Sequence, residues 1–380
     1  MRNNGSHTHF DVAVIGAGQA GLAIGCLLAQ QDRRFVILDG ADSIGASWRD
    51  RWDSLVLFTP RRYDGLPGLA FPGDPDGYPT RAEVVAYLNQ YASTFELPVE
   101  LASTVRSLVK NGGTFELELD GHTIDADQVV IATGPFQTPR VPSFASQLVP
   151  EVFQTHSLGY RRPSDVPDGT VLVVGGGNTG YQIATELSAT HDVHLAIGAR
   201  QTPLPQKLAG RDLFWWLATT KLLNTPVDSR LGRKLRSRDT LIGSSPRTVT
   251  RNGVGIKPRV AAASGRDVSF ADGTALSLDA VIWATGFGLD HSWVDLPVFA
   301  SQGEVVHKRG VTATPGLYFL GLPWQHTRGS ALLGWVKHDA QYLAQHISTY
   351  QQSLKKETDN DYGQRPVPHR DLGPARLSSS

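Results

Sequence analysis

Two glycine-rich segments with the same spacing constrain the fold of this chain more than any other feature. The first lies in FDVAVIGAGQAGLAIGCLLAQQDRRFVILDG (10–40) and the second in VLVVGGGNTGYQIATELSATHDVHLAIGAR (171–200). In each, a short β-rich run precedes a GxGxxG triplet, and a stretch with helical periodicity leads to a second strand. Such glycines permit a tight turn, close approach of the backbone to a pyrophosphate, and close helix–strand packing. The pattern predicts two dinucleotide-binding βαβ units.

The residues at the end of the second strand differ between the two units. In the first unit Asp39 follows the strand, where a carboxylate accepts hydrogen bonds from a ribose diol. In the second unit the corresponding residue is Gly198, and Arg200 follows it. A guanidinium without a neighbouring carboxylate can bind a ribose 2′-phosphate. We therefore predict FAD or NAD in the first unit and NADP in the second, with a solvated surface arginine as the alternative for Arg200.

A longer repeat follows each glycine triplet. TFELELDGHTIDADQVVIATG (114–134) predicts a hairpin that turns at Asp120-Gly121, and DVSFADGTALSLDAVIWATGF (267–287) predicts one that turns at Asp272-Gly273. Each hairpin leads through a further strand to an Ala-Thr-Gly sequence. The residues predicted to contact the two dinucleotides are Gly16, Gly18, Gln19, Ala20, Gly21, Asp39, Thr133 and Gly134 in the first copy, and Gly175, Gly177, Asn178, Thr179, Gly180, Arg200, Thr285 and Gly286 in the second.

Composition excludes several other classes of protein. Lysine and arginine number 36 and so do aspartate and glutamate, and this balance argues against nucleic-acid binding. The single cysteine, Cys26, excludes an intramolecular disulfide, a CxxC redox pair and a cysteine zinc cluster, and the histidines show no metal-ligand spacing. No apolar run reaches the roughly 18 residues of a membrane span, and MRNNGSHTH lacks the apolar core of a secretory signal. We expect a cytoplasmic protein without a metal.

Further segments resemble the flavin-containing monooxygenases, a family of flavoproteins with two dinucleotide-binding domains, and most of all its CzcO-like bacterial group. The similar segments are IGASWRDRWDSLVLFTPRRY (44–63), YPTRAEVVAYLNQYA (78–92), His156-Ser157 with Tyr160, and GLYFLGLPWQHTRGSALLGW (316–335). The resemblance implies FAD and NADPH as cofactors and adds Gly45, Trp48 and Arg49 to the FAD contacts. It implies an α/β fold of two Rossmann-like domains: a discontinuous FAD domain, 1–160 with 290–380, and an inserted NADP domain, 161–289.

The chain departs from that family near the expected reaction centre. Where many members carry an asparagine, it reads Leu57-Phe58-Thr59-Pro60, and where the linker signature has Phe and Gly it has Pro150 and Val152. Thr59 is the nearest polar substitute, and capping of the turn before Pro60 is its alternative role. His156 is expected to order the interdomain linker.

The carboxy-terminal segment is expected to return to the first domain. A strand over 317–320 and a helix from Ser330 to about Ser348 are predicted, with the helix start directed at the flavin. His326 is then a candidate for contact with flavin or substrate, or a plain loop histidine. The polar tail from about Lys355 is expected to be disordered.

A Trp-rich helical insertion is predicted at about 205–245, and the first copy of the repeat has no corresponding segment. It combines DLFWWLATTKLL (212–223) with basic residues at 230, 233, 234, 236 and 238. One interpretation packs Phe214, Trp215 and Trp216 over the second domain with the charges in water. The other makes 212–238 a lid or lipophilic-substrate entrance that touches a membrane surface.

The resemblance implies an FAD-dependent, NADPH-oxidising monooxygenase. Its activity would be to place one atom of O2 on a small sulfur or nitrogen nucleophile or a ketone, through a flavin C4a-(hydro)peroxide. Thr59 and His326 are the candidate catalytic residues, and the oligomeric state stays open. One alternative is a flavin oxidoreductase that passes electrons to a protein or quinone without oxygenation, although the lack of CxxC excludes its disulfide-reducing branch. Another is a non-catalytic nucleotide sensor.

Overall fold

Two separate parallel β-sheets organise the chain, which confirms the predicted α/β class. The computed structural model describes residues 8–199, 201–237 and 240–363. Arg200 and Arg238 therefore lie outside the described residues. Both sheets consist largely of short, continuously apolar strands, and such strands suit a sheet that is covered on both faces.

The first sheet is built from the first glycine-rich unit, its hairpin and a carboxy-terminal strand. In spatial order its parallel strands are Leu317–Phe319, His122–Ile131, Thr8–Ile15, Phe35–Leu38 and Val99–Glu100. Val105–Asn111 and Thr114–Leu119 pair antiparallel beside His122–Ile131, and His307–Lys308 and Val311–Thr312 form the opposite edge. The hairpin turns at Asp120-Gly121, as predicted.

The second sheet contains five parallel strands. In spatial order they are Gly255–Lys257, Asp192–Ala196, Thr170–Val174, Ala280–Trp283 and Phe153–His156. A three-stranded antiparallel sheet, Val260–Ser264, Asp267–Phe270 and Ala275–Ser277, packs beside it and turns at Asp272-Gly273, as predicted. Three two-stranded pairs complete the strands: Thr202–Leu204 with Thr240–Ile242, Lys207–Leu208 with Arg211–Asp212, and Thr138–Pro139 with Phe287–Gly288.

Helices cover the sheets and form the insertion. The α-helices are Gln19–Ala29, Ala46–Arg49, Arg81–Thr94, Asn178–Leu187, Leu213–Thr219, Arg230–Arg236, Pro246–Arg251 and Val336–Gly363. The 3-10 turns are Arg61–Tyr63, Ser143–Gln147, Pro163–Asp165, Leu222–Asn224 and Arg328–Ala331. None of the helices in this part of the chain combines the length and apolar character needed to cross a bilayer.

The core of the first sheet has two layers. On one face Leu22 and Ile24 of the first helix pack against Leu343 and Ile347 of the carboxy-terminal helix, and all four are fully buried. On the other face the hairpin supplies Phe115 and its apolar neighbours. This packing returns the end of the chain to the first sheet, as expected.

The carboxy-terminal helix differs from its prediction at both ends. It begins at Val336, not Ser330, because Arg328–Ala331 forms a separate 3-10 turn that ends at Leu332, whose backbone is extended at φ −78° and ψ 145°. The helix extends to Gly363, residues 364–380 lie outside the described residues, and disorder of the tail from about Lys355 stays a prediction. Despite its polar composition, the sequence between 336 and 362 contains no proline or glycine that would interrupt a helix already nucleated by packing.

The strand pairing bears on the domain limits. Phe153–His156 pairs with Ala280–Trp283 in the second sheet, so that sheet begins before the predicted boundary between 160 and 161. The division into 1–160 with 290–380 and 161–289 stays a prediction.

Candidate active site

The first glycine loop (16–21) has the shape that a pyrophosphate cradle requires. Gly16 has φ +110°, and a Cβ there would lie 2.6 Å from the carbonyl oxygen of Ala132, the first residue of the Ala-Thr-Gly sequence. A Cβ on Gly21 would lie 1.8 Å from the carbonyl oxygen of Gly16. Gly18 faces open space, with no atom within 4 Å of an added Cβ. The helix behind it begins without a side-chain cap, so its first N–H groups are available to an anion.

The second glycine loop (175–180) repeats this geometry. Gly175 has φ +133°, and its added Cβ would lie 2.1 Å from the carbonyl oxygen of Ala284, again the first residue of Ala-Thr-Gly. Gly180 approaches Gly175 with a corresponding distance of 1.9 Å, and Gly177 is open. Each Ala-Thr-Gly sequence is therefore the wall against which its glycine loop packs.

One cavity of about 810 Å³ joins the two units. A volume of this size is typical of cofactor and ligand sites. The predicted residues on its wall are Gly16, Gly18, Gln19, Ala20, Asp39, Gly45, Trp48, Thr59, Thr133, Gly134, Asn178 and Thr179. Gly21, Gly175, Gly177, Gly180, Thr285 and Gly286 do not line it, because they pack behind the loops or lie in the second cradle. The start of the second helix thus faces the first glycine loop across a shared space.

Asp39 connects the first glycine loop to the second strand. Its carboxylate accepts hydrogen bonds from the backbone N–H groups of Ala17, at 2.6 Å, and Ala41, at 2.9 Å. It also lines the cavity, where its remaining lone pairs can accept from a ribose diol. Trp48 is held over the loop by a hydrogen bond from its Nε1 to Gln19 Oε1 at 3.0 Å.

Arg51, which sequence reasoning missed, takes the place expected of Arg49. Arg49 points outward, where its Nη2 pairs with Asp42 Oδ1 at 2.9 Å, and it does not line the cavity. Arg51 is 6% exposed, lines the cavity, and lies 4.2 Å and 5.0 Å from the ring centres of Phe136 and Phe287. Burial lowers its pKa to about 10, which leaves it charged at neutral pH. Nothing local in the sequence distinguishes the two arginines.

One part of the cavity wall beyond the glycine loop is apolar except for Thr59, whereas Arg51, Arg106 and Asp290 line other parts. Leu55, Val56, Leu57, Phe58, Ala331, Leu332 and Leu333 form this part of the wall. Thr59 does not cap the turn before Pro60; its hydroxyl donates to Asp64 Oδ1 at 2.7 Å. Asp64 is fully buried, and this burial raises its pKa to about 8, against the opposing effects of Thr59, Lys337 and Arg61. Asp64 was not predicted, since only the folded turn brings it behind Thr59.

His326 does not line this cavity, and its contact with flavin or substrate stays a prediction. The loop that contains it is closed by Ser330, whose hydroxyl accepts from the backbone N–H of His326 at 3.1 Å. The carbonyl oxygen of His326 accepts from Val227 N–H at 2.7 Å, so this loop supports the insertion. His156 lies between the two units, with Nε2 3.0 Å from the carbonyl oxygen of Gly286, a contact suited to the predicted ordering of the linker.

The Trp-rich insertion packs over the cavity wall and not simply over the second sheet. Phe214 is buried, and its ring centre lies 5.8 Å from those of both Phe58 and Trp335. Gln206 donates to the carbonyl oxygen of Phe58 at 2.8 Å. Trp215 and Trp216 are only half-buried. The insertion therefore covers the outside of the apolar wall.

Membrane contact by the insertion stays a prediction. Leu208 and Leu231 are 52% and 49% exposed, and the basic side chains at 230, 233, 234 and 236 are exposed. Exposed cations beside apolar groups favour an anionic bilayer surface. We expect the protein to co-sediment with phosphatidylserine-containing vesicles at low salt and to be released at high salt. Equal recovery with neutral vesicles, or none with either, would exclude an electrostatic membrane contact.

The guanidinium of Arg259 lies beside the end of the strand Asp192–Ala196 in the second unit. Arg259 follows the edge strand Gly255–Lys257, and its Nη2 donates to the carbonyl oxygen of Gly198 at 3.2 Å. In the strand register the counterpart of Asp39 is Ile197, because Ile15 pairs with Leu38 and Val174 with Ala196. Gly198, the counterpart expected from sequence spacing, therefore lies one residue beyond that position. The described part of the second unit thus presents an apolar side chain where the first presents a carboxylate, with the Arg259 guanidinium beside the next residue.

Comparison with known proteins agrees with this geometry. The family model described as pyridine nucleotide-disulphide oxidoreductase matches residues 13–208. The chain is 46% identical over 340 residues to an uncharacterized CzcO-like oxidoreductase of Geobacillus kaustophilus, with 89% of this chain and 98% of the relative covered. The structure of a flavin-containing monooxygenase from Stenotrophomonas maltophilia is similar at a TM-score of 0.76 and 31% identity, over 90% of this chain and 99% of that one. The OTEMO complex with FAD and NADP shares the fold at 16% identity and a TM-score of 0.64, over 92% of this chain and 87% of that one.

Proposed function

We propose that this chain, which belongs to the CzcO-like group of the flavin monooxygenase family, oxidises NADPH with resident FAD and transfers one oxygen atom of O2 to a small substrate. The observation that carries the proposal is the cavity shared by the first glycine loop and the start of the second helix. A cofactor in the first cradle and a visiting nucleotide in the second would meet there.

The residues present fit FAD in the first cradle. Gly18 leaves open the space that a side chain would fill, the helix start presents unpaired N–H groups, and Asp39 can accept from the ribose. Bound FAD supplies hydride acceptance and dioxygen activation. The chain orients the reactants and excludes water, and the apolar wall of the cavity suits that second task.

The overall reaction is NADPH + H⁺ + O2 + substrate → NADP⁺ + H2O + oxygenated substrate. The substrates that we propose are small molecules with a soft sulfur or nitrogen, or a ketone. The apolar wall around Leu57 and Leu332 supports an uncharged reacting centre. Arg51 contributes a positive charge to the cavity wall, where its guanidinium packs on the rings of Phe136 and Phe287.

Anaerobic reduction followed by admission of oxygen tests the proposal. NADPH is expected to bleach the yellow protein, and reoxidation under ¹⁸O2 with a thioether is expected to give the ¹⁸O-labelled sulfoxide. Ketone and amine substrates would be screened in the same way. Reoxidation that yields only hydrogen peroxide or reduced quinone with all three would favour the oxidoreductase alternative. Failure of NADPH to bleach bound FAD would favour a nucleotide sensor.

Arg259→Gln is expected to change coenzyme preference. A charge-assisted hydrogen bond to a phosphate contributes about 1.5–3 kcal/mol, so kcat/KM for NADPH should fall by about 10- to 100-fold while that for NADH changes little. Flavin bleaching rates with each coenzyme measure this ratio. Arg266→Gln is the matched control, because Arg266 pairs with Asp279 at the opposite end of the same sheet. A wild-type preference for NADH would contradict the assignment of the second unit to NADP.

A further inference from the structure

The one polar group on the apolar wall is backed by a buried carboxyl group. Thr59 is 3% exposed and lines the cavity, whereas Asp64 is fully buried and does not reach it. The two are joined by the 2.7 Å hydrogen bond between Thr59 Oγ1 and Asp64 Oδ1. The other carboxyl oxygen, Oδ2, is buried and has no hydrogen-bond partner among the described residues. A buried oxygen without a partner is costly if charged, so this site favours the protonated acid.

The groups around Asp64 come from three elements. Arg61, in the same turn, gives its Nη2 to Glu83 at 2.6 Å. Lys337, near the start of the carboxy-terminal helix, is half-buried and donates to the carbonyl oxygen of Gly65 at 3.1 Å. Tyr87, on the helix Arg81–Thr94, is uncharged at neutral pH because burial raises its pKa to about 12. Neither cation lies within ion-pair distance of Asp64 among the described contacts, and burial outweighs their attraction.

We propose that Asp64 and Thr59 form a proton relay that delivers one proton per turnover from the protein interior to the cavity. This inference rests on the proposed function, since the overall reaction consumes one proton. With the carboxyl group protonated, Asp64 donates to Thr59 Oγ1, and the hydroxyl rotates to donate into the cavity. The 2.7 Å separation suits the hydrogen bond in either direction.

The transfer is a proton movement without a change in oxidation state. Thr59 gives its hydroxyl proton to a basic atom in the cavity as Oγ1 takes the proton of Asp64, so one O–H bond forms and one breaks at Thr59. The resulting Asp64 carboxylate is stabilised by the positive charges of Lys337 and Arg61. Lys337 and Arg61 are both half-buried, and reloading of Asp64 takes one proton from solvent in each turnover.

The pH dependence of turnover tests the relay. Wild-type turnover is expected to fall as the pH rises above about 8, when Asp64 loses its proton. Asp64→Asn and Thr59→Val should both lower turnover at pH 7 by about 100-fold and abolish the decrease in turnover above pH 8. Thr59→Ser should keep the wild-type turnover at pH 7 and the wild-type pH dependence. Asp339→Asn is the matched control, because Asp339 is also buried but does not line the cavity. Its Oδ1 pairs with Arg309 Nε at a distance of 2.8 Å.

The pH dependence of unfolding shows whether Asp64 is protonated in the folded protein, and it requires no turnover. Asp64 has a higher pKa when folded than the 3.8 of a free side chain, so the native state keeps a proton that the unfolded chain has lost. Relative to Asp64→Asn, the wild-type unfolding equilibrium constant should therefore rise by up to tenfold per pH unit between about 4 and 8. Denaturant unfolding across this range measures the slope.

The outcomes separate the two proposals. A wild-type protein that turns over, with Asp64→Asn retaining its rate and pH profile, would overturn the relay and leave the monooxygenase intact. Equal loss in Thr59→Val and Thr59→Ser, with FAD retained, would also overturn it. A wild-type protein that does not oxidise NADPH would overturn the proposed function, and the unfolding slope would still show whether Asp64 holds its proton.

Discussion

Gly18→Val is expected to yield a folded, colourless protein, and Gly177→Val a yellow protein that NADPH no longer bleaches. Both glycines have extended backbone angles that valine adopts readily, φ −79° at Gly18 and −78° at Gly177. Neither added Cβ meets an atom within 4 Å. The new side chain therefore occupies only the space above the loop, where a pyrophosphate would lie.

The expected size of these effects is at least 100-fold in affinity, or about 3 kcal/mol, for FAD in the first variant and NADPH in the second. FAD titration of the apoprotein and stopped-flow bleaching measure the two affinities. Gly113→Val is the matched control, because Gly113 also faces open space but lies in a hairpin turn. A Gly18→Val protein that binds FAD normally would refute the first cradle, and normal bleaching of Gly177→Val would refute the second.

Gly21→Ala and Gly180→Ala are expected to destabilise the fold itself. Their added methyl groups would lie 1.8 Å and 1.9 Å from carbonyl oxygens of the same loops, so the loop and helix must separate. Overpacking against rigid backbone costs about 3 kcal/mol or more. Denaturant unfolding of the apoprotein is the appropriate measurement, because loss of FAD would otherwise add to the effect.

Gly25→Ala distinguishes close packing from a general effect of alanine in this helix. Its added methyl group would meet Ile37 Cδ1 at 2.6 Å, the end of a side chain that can rotate away. Alanine also favours a helix over glycine by about 1 kcal/mol. We expect a change within about 1 kcal/mol, and equal destabilisation by Gly21→Ala and Gly25→Ala would contradict the packing argument.

Much of the fold was predictable because its signals are local. The two glycine triplets, the strands around them and the turns at Asp120-Gly121 and Asp272-Gly273 are patterns of neighbouring residues. The limits of the carboxy-terminal helix were not predictable in the same way. Its start follows a separate 3-10 turn, Arg328–Ala331, and an extended Leu332, and neither has a signal in the helical periodicity of the sequence.

The candidate site was predictable only in part. Residues tied to the glycine loops, such as Gln19 and Asp39, line the cavity as expected. Arg49 and His326 do not line the cavity. The Arg49 side chain points outward to pair with Asp42, and the hydrogen bond from His326 N–H to Ser330 closes the loop that contains His326. The sequence neighbours of a charged residue do not indicate whether it is buried. The burial of Arg51 and Asp64, and the pKa shifts that follow from it, could therefore not be predicted.

The amino-acid sequence by itself determined that this chain builds two dinucleotide cradles, because each is encoded within a short continuous segment. Only the tertiary structure decided that the start of the helix Asn178–Leu187 faces the first cradle across one cavity, that Arg51 packs on the rings of Phe136 and Phe287, and that Asp64 lies behind Thr59. These relations join segments far apart in the chain, and their charges and hydrogen bonds depend on the exclusion of water that packing alone produces.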